Sequence, residues 1–403
     1  MGDLLGFTSL GLVFLFTLLL ALRFQEIFNV LFIALIVRFL LIIFGHYVAP
    51  LPDSTADAIS FEGRARNLGQ QGFLYVMSSF EGPDPLFISS VIAIPYSLFG
   101  RSILMAQSIS LLFGIGSVFI GWRLASNLWN NNVARKVAWI IALFPSLVLY
   151  SVLILRETYM VFFLLIALYG VTLWIKTDSF KSIALAMFGF TGATFFHGAM
   201  IVGGIIFATL VGGISLIRFF KSLKNYYLNY KSLFLITIYL ASLGLYLTNK
   251  IRVPYLGTFE SSTNISNLQK RTDIATRGTA SWPEWTTINS PVEMIYKAPI
   301  RSIYLVFAPF PWDVNKLRHL IGMLDGFLYM YLSFLILINI KLILKDPVLR
   351  VFLIILVAYV CVFGIGVGNF GTGIRHRSKF IVIFILLAAP FIKYFVLRKL
   401  KPK

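Results

Sequence analysis

The chain contains 403 residues, of which 58% are hydrophobic and only 13% are charged. Soluble domains carry about 25% charged residues, so this composition excludes an ordinary water-soluble protein. The formal net charge is +19, from 35 Lys and Arg residues against 16 Asp and Glu residues. Such an excess of basic residues is typical of the cytoplasmic loops of membrane proteins, and we do not expect a nucleic-acid partner.

Apolar runs recur along the whole sequence, and a helix needs about 20 such residues to cross a hydrocarbon core of about 30 Å. We therefore predict an all-α polytopic membrane protein, a single transmembrane domain over 1–403 with about eleven membrane-spanning helices. The predicted spans are 5–22, 28–48, 103–122, 134–150, 157–175, 180–194, 198–217, 232–248, 321–342, 351–367 and 379–396.

Basic residues concentrate in alternate connections between these spans and in the C-terminal tail. The positive-inside rule then places the N-terminus outside the membrane and the C-terminus in the cytoplasm. In this orientation two long segments, 49–102 and 249–320, lie at the outer face of the membrane. Loops of such length are usually functional or disordered. Both are rich in aromatic side chains, which argue against disorder and favour interfacial helices or a stacking surface for sugar rings.

Three carboxylates lie near the start of the first outer segment: Asp53, Asp57 and Glu62. The residues from Asp57 onward are predicted to be helical, and an acid at a helix start is often only a cap. Alternatively, Asp57 could act as a general base on an acceptor hydroxyl. Asp53 and Glu62 would then position it, or would bind a divalent metal ion with it, although no cofactor is required.

Further along this segment, Asp84 lies between Pro83 and Pro85, which predicts an extended turn. The stretch 86–99 that follows is apolar but short, so we expect it to lie in the membrane interface. Arg64 is one of several cations that would make the outer vestibule positive and attract an anionic substrate.

The order of these features resembles the GT-C superfamily of membrane glycosyltransferases, which includes the protein O-mannosyltransferases and the bacterial aminoarabinose transferases. The shared pattern begins with a span and an acid in a D-x-x-x-[YF] helix, here Asp57 and Phe61. A Pro-rich turn and an apolar segment ending in Phe99-Gly100 follow before the next span. The resemblance covers 28–220 most clearly.

This resemblance implies a GT-C-like fold. It implies transfer of a sugar from a polyprenyl-phosphate or polyprenyl-diphosphate donor at the outer, periplasmic face of a bacterial inner membrane. It also implies that Asp57 is the catalytic base, with Asp53 as the alternative, and that Asp84 falls near a second acid of this loop in some members. The mannosyltransferases of the superfamily have two directly adjacent acids in this loop, which this chain lacks. The identity of the acceptor therefore stays open.

Another pair of charges, Arg156 and Glu157, separates the fourth and fifth predicted spans. Charges between two apolar segments must reach water or pair with each other. The two residues could form a simple helix-terminus pair. Alternatively, Arg156 could hold the phosphate of the donor while Glu157 positions the substrate. Many members of the superfamily have a polar pair at this place.

The strongest anion-binding signal is the turn 369–379, which contains Arg375, His376, Arg377 and Lys379. Its two glycines allow close approach of a backbone, and arginine suits phosphate oxygens. Alternatively, the turn is solvated and contacts anionic lipid headgroups. The resemblance implies that these residues meet the phosphate of the lipid-linked donor.

A few other residues complete the predicted site. His197 lies at the outer end of the sixth span, where a lone histidine is more often structural than functional, although it could instead orient the site. Trp282 and Trp285 could close over the sugars. Arg38, inside the second span, is predicted to be mainly structural and paired across helices.

The sequence therefore predicts a glycosyltransferase that moves a sugar or oligosaccharide from a polyprenyl-linked donor to a lipid or lipid-linked glycan, in cell-surface polysaccharide biosynthesis among membrane lipids. Two alternatives stay open. An O-antigen-type polysaccharide polymerase or ligase shares this topology and donor class. A flippase or transporter for lipid-linked sugars would hold its charges in a central cavity, whereas most acids here lie in the two outer segments.

Overall fold

A computed structural model describes residues 2–80, 82–84, 86–254, 256–263, 281–288, 290–314 and 317–392. The helices of the first half of the chain are α1 (Gly2–Arg23), α2 (Phe28–Tyr47), α3 (Asp57–Gly69), α4 (Phe73–Ser78), α5 (Phe87–Phe99), α6 (Ile103–Leu128), α7 (Asn131–Leu143), α8 (Pro145–Tyr150), α9 (Glu157–Thr177) and α10 (Phe180–Phe196). Those of the second half are α11 (Ile201–Lys224), α12 (Tyr230–Leu247), α13 (Phe259–Thr263), α14 (Pro291–Phe307), α15 (Leu317–Ile338), α16 (Ile340–Lys345), α17 (Pro347–Gly366), α18 (Phe370–Ser378) and α19 (Ile381–Ala388).

Seven of the described helices are long and apolar enough to cross a membrane, namely α1, α2, α6, α9, α11, α12 and α17. This confirms a multi-pass all-α membrane protein. Three of the other predicted spans correspond to shorter apolar helices, which are α10, the later part of α15, and α19 with the turn after it. The last one, 134–150, is a broken segment. The stretch 86–99 forms the separate short helix α5.

The predicted span 134–150 is interrupted at Phe144, where α7 ends and α8 begins. Phe144 is extended (φ −61°, ψ 123°) because the following proline disfavours helical backbone at the preceding residue. The interruption leaves carbonyl oxygens in the last turn of α7 without helical partners. Arg38 compensates, since its Nη1 atom donates to the Ala142 carbonyl oxygen at 2.7 Å and its Nε atom to Ser151 Oγ at 2.8 Å. This buried arginine of α2 is therefore paired across helices, as predicted.

Helices α9 and α10 form a tight antiparallel hairpin. A Cβ atom on Gly170 would lie 2.3 Å from the Ala186 nitrogen, and one on Gly189 would lie 2.3 Å from the Ala167 nitrogen. Only glycine allows two helix backbones to approach so closely. Because the helices run in opposite directions, the start of α9 and the end of α10 lie at the same end of the bundle. We call this the site end, marked by Glu157.

At the opposite end of α9, basic residues surround one acid, Asp178. Asp178, which follows α9 in a left-handed conformation (φ 49°), pairs with Arg218 at 2.8 Å and with Lys231 at 2.5 Å. Lys176 donates to the carbonyl oxygen of Asn127. At about 1.5 Å per residue, the 21 residues of α9 separate this end from the site end by about 31 Å. Three connections predicted to face the cytoplasm therefore share one end of the bundle.

The segment 249–320 contributes α14, which packs along α17. Arg301 of α14 is fully buried and donates to the carbonyl oxygens of Gly364, Ile365 and Val367 at the C-terminal end of α17. A cation at this position satisfies terminal carbonyl groups and is stabilised by the helix dipole. The contact fixes the course of the chain immediately before α18.

Candidate functional site

The three charged segments singled out in the sequence meet at the site end through Arg375. Its Nη1 atom lies 2.5 Å from Asp57 Oδ2, and its Nη2 atom lies 3.2 Å from Glu157 Oε1. Asp57 is the first residue of α3, Glu157 is the first residue of α9, and Arg375 belongs to α18. The two acids are 318 and 218 residues away from Arg375 in the sequence. The tertiary fold therefore assembles this arrangement.

The two carboxylates differ in exposure. The side chain of Asp57 is 52% exposed, whereas that of Glu157 is 1% exposed. A carboxylate in the first turn of a helix is stabilised by the helix dipole, and Arg375 adds a direct opposite charge. Burial lowers the pKa of Arg375, but the neighbouring Glu157 and Asp57 outweigh this effect and raise the pKa overall, so the guanidinium stays charged. Asp57 is the carboxylate that a substrate can reach.

Two more basic side chains surround the same acids. Lys379 is fully buried, and its Nζ atom lies 5.2 Å from the centre of the Phe363 ring. Burial lowers the pKa of this amine well below its usual value, and the neighbouring Glu157 opposes this shift. Among the described residues its Nζ atom has no hydrogen-bond partner. Arg156, immediately before α9, donates from Nη1 to the Phe196 carbonyl oxygen at 3.5 Å. Arg156 and Arg375 balance the charges of the two carboxylates, and protonation of Lys379 adds the excess of positive charge that suits an anionic ligand. We call Asp57, Arg156, Glu157, Arg375 and Lys379 the charged cluster.

His197 and His376 lie beside this cluster, with ring centroids 5.2 Å apart and an interplanar angle of 89°. Burial lowers the pKa of both imidazoles, and Lys379 lowers each pKa further, so both are neutral at about pH 7. Nδ1 of His376 lies 2.9 Å from the Thr372 carbonyl oxygen and so carries the proton, which leaves Nε2 as an acceptor. A neutral acceptor does not suit a phosphate, so the predicted phosphate contact of His376 is not supported.

Arg377 is fully buried and contacts a different part of the protein. Its five N–H groups donate to the carboxylate of Asp325 and to the carbonyl oxygens of Val306, Ala308 and Gly322. All of its donors are thus engaged within the protein. The predicted phosphate contact of Arg377 is therefore not supported, because binding a phosphate would break a saturated buried network.

Glu62 does not position Asp57. Its Oε1 atom accepts from Arg101 Nε at 2.8 Å and from the Tyr96 hydroxyl at 3.2 Å, and its Oε2 atom accepts from Arg101 Nη2 at 3.0 Å. This arrangement ties α3 to α5 and to the start of α6. In the part of the chain that the structure describes, no three His, Cys, Asp or Glu side chains are grouped as metal ligands. The geometry therefore gives no support to a metal ion held by these acids.

The two other predicted acids lie at the edge of the charged cluster. Asp53 Oδ2 accepts a hydrogen bond from the Tyr150 hydroxyl at 3.1 Å. Asp84 Oδ2 lies 3.7 Å from Arg64 Nη2, and both side chains are half-exposed. An exposed pair of this kind contributes little stability and opens easily. Asp84 also acts electrostatically on Arg156, which places the Asp84–Arg64 pair on the rim of the site.

The two predicted tryptophans differ in exposure. Trp282 is buried, packs against Tyr304 with ring centroids 5.7 Å apart, and lies 3.5 Å from the Cβ position of Gly373. It therefore supports α18 and does not offer a face to a sugar. Trp285 is exposed and packs edge-on against the same tyrosine. Of these two residues, Trp285 is the one that can stack on a ligand.

A cavity beside the charged cluster has a mostly apolar lining with a few polar side chains, and some of these are residues that sequence reasoning does not find. Its volume is about 290 Å³, and its lining includes Asp53, Tyr150, His319 and Asp325. Asp325 lies within an apolar stretch of α15, and a carboxylate in such a segment is a functional hypothesis by default. That signal is present in the sequence, whereas Tyr150 and His319 carry no comparable local signal.

Comparison of the chain with models of protein families, with curated proteins and with solved structures found no match. The fold and the site thus define a multi-pass all-α membrane protein with a charged cluster at one end of its bundle. The resemblance to the GT-C superfamily rests on the sequence features alone.

Proposed function

We propose that this protein is a GT-C-like membrane glycosyltransferase. It transfers a sugar or oligosaccharide from a polyprenyl-phosphate or polyprenyl-diphosphate donor to a lipid or lipid-linked glycan. The reaction takes place at the outer face of a bacterial inner membrane, in cell-surface polysaccharide biosynthesis. The observation that supports this function best is the contact of Arg375 with both Asp57 and Glu157, since it joins a candidate base to a candidate phosphate ligand.

In the proposed reaction Arg375 binds the phosphate of the donor, and Lys379 and Arg156 add positive charge. A planar guanidinium matches phosphate oxygens with two parallel hydrogen bonds. In the structure the N–H donors of the Arg375 guanidinium are divided between two acids. A phosphate displaces the exposed Asp57 more readily than Glu157, because displacing Glu157 would leave a buried charge without its partner. Donor binding therefore releases Asp57.

The released Asp57 acts as a general base. Its carboxylate removes the proton of the acceptor hydroxyl while the oxygen forms a bond to the anomeric carbon of the donor sugar. The bond between this carbon and the phosphate oxygen breaks, and its electrons leave with the lipid phosphate. Attack opposite the phosphate inverts the anomeric configuration. The cations of the charged cluster stabilise the negative charge that develops on the leaving group.

An apolar groove next to Arg156 suits the polyprenyl tail of the donor. Its volume is about 260 Å³, and its lining includes Phe80, Phe87 and Phe196. The carbonyl oxygen of Phe196 is also the acceptor for Arg156. A tail in this groove therefore ends where the cations lie, and the donor phosphate follows its last apolar carbon.

The variant Asp57→Asn tests this proposal, because it removes the base and keeps the size of the side chain. We expect normal thermal stability and a transfer rate about 10²- to 10⁴-fold lower. The purified protein is reconstituted in liposomes with a polyprenyl-phosphate-linked hexose, and the new glycosidic bond is measured by mass spectrometry.

The matched control is Asp3→Asn, because Asp3 is exposed at the start of α1 and lies outside the charged cluster. This variant should retain the wild-type transfer rate. A wild-type rate in Asp57→Asn would contradict the proposed base. Movement of the donor across the bilayer without a new glycosidic bond would identify a flippase instead.

A further inference from the structure

The cavity lined by Asp53, Tyr150, His319 and Asp325 adjoins a second, apolar void. The cavity has a volume of about 290 Å³, and the apolar groove has a volume of about 370 Å³. Both are lined by Pro145, the first residue of α8 after the helix break. The two voids therefore both border the point where the chain passes from α7 to α8.

Helix α15 lines both voids. His319, Gly322 and Asp325 line the cavity, and Leu328 and Leu332 line the groove. Each step of three residues turns about 60° around the helix axis, so the residues of the cavity and those of the groove occupy neighbouring parts of the helix surface and not a single face. The helix thus carries two polar side chains where it lines the cavity and apolar ones where it lines the groove.

The helices opposite α15 show the same change. Ser146 and Tyr150 of α8 line the cavity, whereas Trp139, Ile140 and Leu143 of α7 line the groove. A ligand with a polar head and an apolar chain matches this arrangement, with its head in the cavity and its chain in the groove.

The polar atoms of the cavity accept hydrogen bonds. His319 is 5% exposed, and its Nδ1 atom lies 3.2 Å from the Asp313 carbonyl oxygen and so carries the proton. Its Nε2 atom is then an acceptor, and within the described ranges it has no hydrogen-bond partner. Asp53 and Asp325 add carboxylate oxygens. This environment favours hydroxyl groups, which donate hydrogen bonds, and disfavours a phosphate.

Tyr150 separates this cavity from the charged cluster. Its side chain is buried and donates to Asp53, which lines the cavity, and it also interacts electrostatically with Glu157 and Arg375. Helix α18 contributes to both places, since Ile374 lines the cavity and the next residue, Arg375, belongs to the charged cluster. Tyr150 thus stands between the cavity and the arginine that is the candidate phosphate ligand, Arg375.

We propose that the cavity and the groove bind the acceptor substrate, a membrane lipid with an uncharged headgroup that carries several hydroxyls, such as a glycolipid. Its role as acceptor rests on the proposed transferase function, whereas the binding of such a lipid does not. The hydroxyl to be glycosylated approaches Asp57 from the side of Asp53, and the donor phosphate occupies the charged cluster. Donor and acceptor are thus bound on opposite sides of Tyr150.

The test uses a dodecyl maltoside with a photoactivatable diazirine in its alkyl chain and the purified protein in lipid nanodiscs. We expect cross-links, mapped by mass spectrometry, to concentrate on α7 and α15. Excess dodecyl maltoside should reduce this labelling, and excess dodecyl phosphate should not. Even labelling of all lipid-facing helices, or equal competition by the phosphate, would overturn the proposal.

Two tryptophan variants on α15 form a matched pair. Leu328→Trp fills the groove and should reduce labelling about tenfold. Leu337→Trp lies in a different apolar groove, with Val357 and Phe384, and should leave labelling unchanged. Both leucines are exposed on the bundle surface, so both variants are expected to fold. Equal labelling of Leu328→Trp and the wild type would contradict the proposed site.

The labelling experiment and the transfer assay fail independently of each other. Selective labelling without any sugar transfer would retain the lipid site and refute the transferase. Sugar transfer with an unchanged acceptor KM in Leu328→Trp would retain the transferase and refute this acceptor site.

Discussion

Arg375 and Arg377 belong to the same short helix, yet their surroundings differ. Arg375 contacts the carboxylates of Asp57 and Glu157, and its side chain is 16% exposed. Arg377 is fully buried and donates to Asp325 and to backbone carbonyl oxygens. A guanidinium with an exposed partner can exchange that partner for a ligand, whereas one held by buried carbonyls cannot. The partners, and not the charge, distinguish a binding arginine from a structural one.

Two other buried arginines resemble Arg377. Arg38 donates to the Ala142 carbonyl oxygen at the end of α7, and Arg301 donates to carbonyl oxygens at the end of α17. A helix end inside the bundle exposes carbonyl groups that need a donor. These arginines stabilise the fold and are poor candidates for ligand contact.

The variant Arg377→Gln should have the largest effect. It leaves Asp325 buried without its cation and removes donors from three carbonyl oxygens, so we expect the free energy of unfolding to fall by about 3–5 kcal/mol. Unfolding in sodium dodecyl sulfate, followed by tryptophan fluorescence, measures this change. The double variant Arg377→Met with Asp325→Leu should recover part of the loss, because the buried acid is removed as well. Wild-type stability of the single variant would show that the contact is not structural.

The variant Arg375→Lys should affect donor binding and leave the fold intact. It keeps a positive charge beside the buried Glu157, so we expect a loss of stability well below the cost of about 3–5 kcal/mol for removing a buried partner. A point charge cannot match two phosphate oxygens, so the donor KM should rise about tenfold. Arg101→Lys, which alters the pair with Glu62 outside the charged cluster, is the control and should not change this KM. An unchanged donor KM in Arg375→Lys would exclude Arg375 from the phosphate site.

The variant Glu62→Gln separates the structural role of this acid from a catalytic one. The pair with Arg101 is weakened, and we expect a loss of about 1–2 kcal/mol in unfolding free energy. The transfer rate of the folded protein should equal that of the wild type, because Glu62 contacts Arg101 and Tyr96 and not Asp57. A rate as low as that of Asp57→Asn would restore a catalytic role for Glu62.

The smallest expected effect concerns pH. Burial, followed by the neighbouring Lys379, His376, Arg156 and Arg375, lowers the pKa of His197. The folded-state pKa thus lies below the unfolded value of about 6.5, so this stability is complete above about pH 6.5 and is lost as the pH falls toward the folded-state pKa. Between about pH 7.5 and about pH 5.5 the unfolding free energy should fall by about 1 kcal/mol through this residue.

His197→Asn provides the comparison for this pH dependence. Asparagine keeps an acceptor for the Ala199 backbone nitrogen, which His197 Nδ1 now binds at 3.3 Å, and it does not titrate. Thermal stability of this variant should therefore vary less with pH than that of the wild type. An identical pH profile would contradict the lowered pKa of His197.

Hydropathy was sufficient to predict the long helices, because a membrane span requires little more than length and apolar composition. It was not sufficient at 134–150, where an uninterrupted apolar run conceals the break before Pro145. The sequence analysis also predicted a turn at 369–379, where the structure has the helix α18. Asn369 begins this helix as a cap, accepting a hydrogen bond from the Thr372 nitrogen at 2.8 Å. Both signals were visible in the sequence as a proline and a capping residue.

The candidate site was predictable as a set of residues and not as an arrangement. Asp57, Glu157 and Arg375 can be selected because each charge lies beside an apolar segment. Their contacts join residues that are hundreds of positions apart, and no local pattern specifies such pairing. The saturation of Arg377 by Asp325, 52 residues away, could not be predicted for the same reason.

The break at Phe144 also affects how the chain inserts into the membrane during synthesis. At about 1.5 Å per residue, the 13 residues of α7 extend about 20 Å and the 6 residues of α8 about 9 Å, so neither crosses a core of about 30 Å alone. Arg38 is unfavourable in lipid until the Ala142 carbonyl oxygen, 104 residues later in the chain, accepts its hydrogen bond. We therefore expect the second span to become fully stable in the bilayer only after the broken segment has joined it.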